Sequence, residues 1–198
     1  MLWMFLPAAL ADLAPFAPSP DAIGARVVRG CGDVYALEEL SFTFIAVKGG
    51  EEKARRSHRW RPQDGTLTVT VGEEVVALAL HDPLPTEGPA LEAWSAFVND
   101  SYWLLAPCKV MDPGVERRAS DDNTLFLGFE GVGLTPGDRY TMRLSGTQVR
   151  AWQFTLESGR IGDFVWSPYE PVGPMRLSLQ RDAVDGSVQI RFEDVTAR

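Results

Sequence analysis

The run TLTVTV at 66–71 alternates without a break, with Leu67, Val69 and Val71 on one side and three threonines on the other. Successive side chains of a strand leave opposite faces, so a period of two marks a half-buried strand. The same period governs LSFTFIAVK (40–48), KARRSHRWRP (53–62) and EEVVALALH (73–81). It returns at Leu125/Leu127/Phe129, Tyr140/Met142/Leu144, Trp152/Phe154/Leu156, Phe164/Trp166, Met175/Leu177/Leu179 and Val188/Ile190/Phe192. Short turn signals separate these runs: GGEE at 49–52, Asp64-Gly65 and Asp185-Gly186. About nine or ten antiparallel strands follow from this pattern, each with one wet and one dry face. RRASDDN (117–123) lacks the alternation and reads as a polar loop. A sheet of this length must curl, and its dry face needs cover.

Two helices supply the cover. Ser19 reads as an N-cap, Pro20 as the first helical residue and Asp21 as an acid in the first turn; Gly30 and Gly32 end a helix over 20–31. The second helix runs over 89–106, where apolar residues recur at 91, 94, 97/98, 102 and 105 until Pro107 stops it. Tyr102 and Leu105 belong to that inward stripe. Trp103 and Leu104 fall off it and need cover from another side. The fold class is mainly β with two helices: a curled antiparallel sheet forming an incomplete barrel closed by helices, one domain over 20–198.

Net charge −8 argues against nucleic acid as a partner, since phosphate binding needs a basic surface. Apolar residues make up 45% of the chain, enough for a core. Cys31 and Cys108 read first as two separate buried thiols; a disulfide is the alternative and requires an oxidising compartment. No metal site is expected, because two cysteines and two histidines are scattered. His58 and His81 have no GxSxG serine to serve. The acidic pairs, such as Glu73-Glu74 and Asp121-Asp122, read as turn and element-end features. In the basic strand, Arg55, Ser57, Arg59 and Arg61 share one face. Arg56 shares the other with Trp60, where an arginine must be paired or sit at a cavity mouth.

Met1 to Leu10 is apolar and Ala9-Leu10-Ala11 fits a small-x-small cleavage site. Residues 1–19 therefore read as the remnant of a signal peptide with a Pro-rich spacer, too short to span a bilayer. The expected location is periplasmic or secreted.

A curled sheet closed by helices leaves an apolar space between them. Aromatic residues and one leucine define its candidate lining: Trp60, Trp94, Phe97, Tyr102, Leu105, Trp152, Phe154 and Trp166, with Arg56 at the rim. Core packing alone predicts the same residues.

Three stretches carry a family resemblance. Asn99, Tyr102, Trp103 and Leu104 are followed by Pro107, Lys109 and Asp112-Pro113-Gly114; then come Gly137-Asp138-x-Tyr140 and Trp152-x-Phe154. In these the chain resembles the outer-membrane lipoprotein-sorting proteins, the LolA/LolB-like carriers, and within them an uncharacterised exported branch. The resemblance spans roughly 22–196 and departs at Cys108, where an aromatic is expected. It implies a half-barrel whose apolar cavity takes acyl chains.

The expectation is thus a monomeric, non-enzymatic carrier of an acyl chain, lipid or lipoprotein anchor. It needs no cofactor and makes transient membrane contact, with helix 89–106 as lid or plug. The alternatives are a hydrolase of a lipid-like substrate using His58 or His81, and a partner-binding domain with a packed core.

Overall fold

A computed structural model describes residues 19–80, 83–129 and 131–198. His81 and, but for Ser19, the signal-peptide reading of 1–19 lie outside them. Helix α1 (Pro20–Cys31) forms as its caps dictate. Ser19 Oγ accepts the Ala22 N–H at 3.3 Å, and Gly32, at φ 108°, donates to the Val28 carbonyl. Its buried face is Ile23, Gly24, Val27 and Cys31, one stripe at helical spacing.

From β1 (Leu40–Lys48) the chain meanders outward through β2 (Glu51–Arg61), β3 (Thr66–Val71) and β4 (Glu74–Ala79). Helix α2 (Gly88–Leu105) and a 3-10 turn, Ala106–Cys108, follow. The meander resumes with β5 (Val115–Asp121), β6 (Thr124–Phe129), β7 (Arg139–Ser145), β8 (Gln148–Thr155) and β9 (Ile161–Trp166). β10 (Tyr169–Val172) and β11 (Met175–Ser178) step aside as a separate hairpin, and β12 (Gln180–Ala183) and β13 (Val188–Ala197) return to the sheet. The strand order is β4-β3-β2-β1-β13-β12-β9-β8-β7-β6-β5, antiparallel throughout. β4 and β5, neighbours in sequence apart from α2, lie at opposite edges.

Contacts of α2 across the sheet require it to curl. Asp100 of α2 bonds Arg56 on β2, and Tyr102, two residues on, packs against Phe129 of β6 at 5.7 Å. β2 and β6 are seven strand positions apart, which is about 34 Å in a flat sheet at ~4.8 Å per strand. Side chains two residues apart reach both, so the sheet wraps α2. It does not close into a barrel: β4 and β5 remain edges. One hydrophobic cluster runs from Ile23 to Phe192.

Several expectations need correction. The polar loop at 117–123 is largely β5, whose sequence VERRASD carries charge on both faces, as befits an edge strand, and so hides the alternation. Thirteen strands among the described residues replace nine or ten. Met175 and Leu177 belong to the side hairpin, where they are still buried. Helix α2 is rotated from the expected stripe: Ala93, Phe97, Asp100, Ser101, Leu104 and Leu105 face inward, so Leu104 is a core residue.

The two cysteines are not separate thiols. Cys31 ends α1 and Cys108 closes the 3-10 turn after α2; their Cα atoms lie 5.3 Å apart and the residues are disulfide-bonded. The bond fastens both helices together at one end of the sheet. It spans 77 residues, for which the chain-entropy view gives about 4 kcal/mol. Replacing both cysteines with alanine should lower the melting temperature by about 10 °C. A thermal melt followed by circular dichroism checks this, and an unchanged midpoint would contradict it.

Candidate functional site

The inward face of α2 is filled by protein. Phe97 meets Trp60 edge-on at 5.4 Å and the His58 ring at 5.8 Å. Beneath the C-terminal turn lies Arg181, which is fully buried and stacks 3.6 Å above the Trp166 ring. Its guanidinium donates to the carbonyls of Ser178 and, at 3.4 Å, Leu104. Burial lowers its pKa to about 9, so it stays charged at neutral pH; no carboxylate among the described residues pairs with it. Helix-end carbonyls such as that of Leu104, with their partial negative charge, offset that burial.

Asp100 is the polar anchor of this face. It is fully buried and accepts from Arg56 Nε and Nη2, both at 2.6 Å, from His58 Nε2 at 2.8 Å and from Asn99 Nδ2 at 2.9 Å. Burial pushes its pKa up, but the bonds from Arg56 and His58 outweigh it and hold it below the usual carboxylate range. The demand that Arg56 be paired is thus met by an acid 44 positions away. His58 and Asp100 make a pair that a hydrolytic triad would use. The His58 side chain, however, is wholly buried, and its Nδ1 has no hydroxyl partner among the described residues. Among those residues no group of three or more His, Cys, Asp or Glu side chains could hold a metal.

The flank of α2 is different. A cavity of about 220 Å³ opens beside Val98, Tyr102 and Trp103, walled by Phe129, Tyr140, Trp152 and Phe154. Several of the rings meet edge-on, Trp103 to Trp152 at 4.9 Å, Trp103 to Phe164 at 4.9 Å and Tyr102 to Tyr140 at 5.3 Å, while Tyr102 stacks on Trp152 at 6.0 Å. Such pairs add about 0.5–1.5 kcal/mol each and make a stiff wall. Burial keeps the Tyr102 and Tyr140 hydroxyls protonated far above neutral pH. The buried Trp152 indole N–H has no partner among the described residues.

Asn99, Trp103, Phe154 and Arg160 also line a second, larger cleft of about 790 Å³, which extends over β1, β2, β9, β12 and β13. The cavity mouth is braced by the Gly-Asp-x-Tyr motif. A Cβ on Gly137 would lie 2.7 Å from Glu157 Cγ, so only glycine lets the two turns meet. Asp138 accepts from the Glu157 N–H and from Thr135 Oγ1, and Tyr140 enters the wall.

Of the expected lining, Tyr102, Trp152 and Phe154 reach the cavity, and Arg56 reaches the cleft half-exposed. Trp60, Phe97, Leu105 and Trp166 are core residues lining neither, and half-buried Trp94 lines neither. Sequence reasoning passed over Asp100, Trp103, Phe129 and Arg160 as site residues. A stripe at 93, 97, 100 and 104, taken with an arginine on the dry face of β2, would have exposed Asp100.

No protein-family model matches the sequence, and no curated protein does. Solved structures to which the chain is similar include a LolA superfamily protein from Nitrosomonas europaea, at 9% identity and TM-score 0.46, covering 92% of this chain and 94% of the other. A DUF1329 family protein from Desulfovibrio piger matches at 10% and 0.44, covering 91% and 94%. A domain described as an outer membrane lipoprotein-sorting protein from Vibrio parahaemolyticus matches at 7% and 0.41, covering 89% and 91%.

Asp100→Ala leaves Arg56 without its acid and should destabilise the fold by about 3 kcal/mol, the low end for a broken buried pair because Arg56 reaches water. Because the folded pKa of Asp100 is depressed, its stabilisation is complete above the unfolded carboxylate pKa of about 3.9 and is lost as pH falls through the folded value. Urea unfolding at pH 7 and at acid pH tests both statements: the gap between wild type and variant should be wide at pH 7 and shrink in acid.

Proposed function

We propose that the protein is a non-enzymatic binding protein of an oxidising, extracytoplasmic compartment, one that carries an acyl chain or similar apolar group. The observation that carries this reading is the aromatic cavity on the flank of α2, which shares Asn99, Trp103, Phe154 and Arg160 with the adjacent larger cleft. A cavity walled by rings and bordered by few polar groups is suited to a ligand recognised by its apolar surface. Each methylene it buries adds about 0.8 kcal/mol, so a single chain can bind without many hydrogen bonds.

The Cys31–Cys108 bond supports the compartment, because such bonds persist where the medium is oxidising. Helix α2 acts as a fixed wall in this reading: Asp100, the Arg181–Leu104 contact and the disulfide just beyond it hold its C-terminal part. Residues 20–198 work as one monomeric unit, and cargo enters along the cleft from a membrane or a membrane-bound donor. The hydrolase alternative would use His58 or His81: the burial of the His58 ring weighs against the first, and the second lies outside the described residues.

Native mass spectrometry of the exported protein should detect bound lipid, or uptake of a fluorescent acyl probe after delipidation. Protein that stays empty with every such probe would refute the carrier reading. Val98 borders the cavity from α2, and Val98→Trp should fill it. Excluding even two methylenes costs about tenfold in affinity, so probe binding by this variant should weaken at least that much.

A further inference from the structure

The cleft is positive on a negative protein. Lys48, Lys53, Arg56 and Arg160 line it against Asp163 and Asp185, four cations to two carboxylates, while the chain carries −8. Most of these charges are already engaged. Lys53 pairs with Glu51, and Arg56 with Asp100. Asp163 accepts from Gln153 Nε2 at 3.2 Å, and Asp185 accepts from the Ser187 N–H and hydroxyl. Lys48 and Arg160 are exposed and have no ion-pair or hydrogen-bond partner among the described residues. Arg160 lines both the cavity and the cleft, its guanidinium 5.8 Å from the Phe154 ring centre. The carboxylate in the cavity wall, Asp138, is engaged by Thr135 Oγ1 and the Glu157 N–H.

We infer that the ligand is an anionic amphiphile. Its tail lies among Tyr102, Trp103, Trp152 and Phe154, and its carboxylate or phosphate head sits at Arg160 with Lys48 across the cleft. This rests on the apolar-carrier reading above and adds the chemistry of the head. Arg160 on the border of the cavity and the cleft, and Lys48 in the cleft, both without a side-chain partner among the described residues, favour an anion and disfavour a cation. The cavity of about 220 Å³ is below the range of about 300–1,000 Å³ usual for whole ligands, so it suits a tail whose head must lie outside it, in the cleft.

The test uses the delipidated full chain and three ligands with the same dodecyl tail: dodecanoate, dodecyl phosphate and neutral dodecanol, each titrated calorimetrically below its micelle concentration. Exposed ion pairs are worth up to about 1 kcal/mol each, so two give the anions an advantage of about tenfold over the alcohol. Salt should erode that advantage, since exposed charges are screened. A preference for the phosphate marks a phospholipid-type head and a preference for dodecanoate marks a fatty acid; either supports the inference. In the double variant Lys48→Gln/Arg160→Gln the advantage should shrink to within about twofold, consistent with losing both pairs. If dodecanol binds as tightly as both anions, the anionic head is overturned and the apolar carrier stands. If none of the three binds, the carrier reading fails and takes this inference with it. An advantage that persists in the double variant would overturn the assignment to Lys48 and Arg160.

Discussion

Everything in this architecture depends on one crossing. β4 and β5 are consecutive strands placed at opposite edges of an eleven-stranded sheet, and only α2 with its flanking turns connects them. A helix of 18 residues is about 27 Å long at 1.5 Å per residue, shorter than the flat width of such a sheet. What requires the sheet to bend is side-chain contact: Asp100 bonds Arg56 on β2 while Tyr102, two residues on, packs against Phe129 of β6. Once the sheet bends, the dry faces of both meanders turn toward α2, and the helix is surrounded by two walls where an ordinary amphipathic helix meets one.

That geometry divides the helix surface. The inward stripe of Ala93, Phe97, Leu104 and Leu105 is closed by core residues, with Asp100 fixed by Arg56 and His58. A helix is round and a curled sheet is an imperfect trough. The flank bearing Val98, Tyr102 and Trp103 is therefore left facing rings it does not wholly touch. The cavity is the residue of that mismatch. Its walls are stiff because aromatic pairs hold one another, and its mouth is held by Asp138 across two turns.

Much of this was legible in the sequence, for reasons that also explain the failures. β1 to β4 and most of the later strands announce themselves by period two, and α1 by Ser19 and Pro20. β5 does not, because both of its faces carry charge. Alternation gives a strand's period and not its partner, so the side hairpin of β10 and β11 was invisible. The disulfide depends on where the ends of two helices meet, which no spacing encodes. The rotation of α2 was misread because a carboxylate on a helix ordinarily faces water, and the cation that reverses this lies on β2. In the candidate site, Tyr102, Trp152 and Phe154 emerged beside Trp60, Phe97 and Trp166. Sequence pattern separates buried rings from exposed ones, but it cannot separate a ring against protein from a ring against a void.

The pairing of β1 with β13 has a consequence in time. β1 is the densest apolar strand of the sheet, with Phe42, Thr43, Phe44 and Ile45 buried in succession, and it sits near the middle. Its second neighbour begins at Val188, 140 positions after Lys48. At about 5–20 residues per second, synthesis leaves that central edge without its partner for roughly 7–30 s. An unpaired apolar edge is a template for other chains. The strand most protected in the finished fold is thus the one most exposed while the fold is being made.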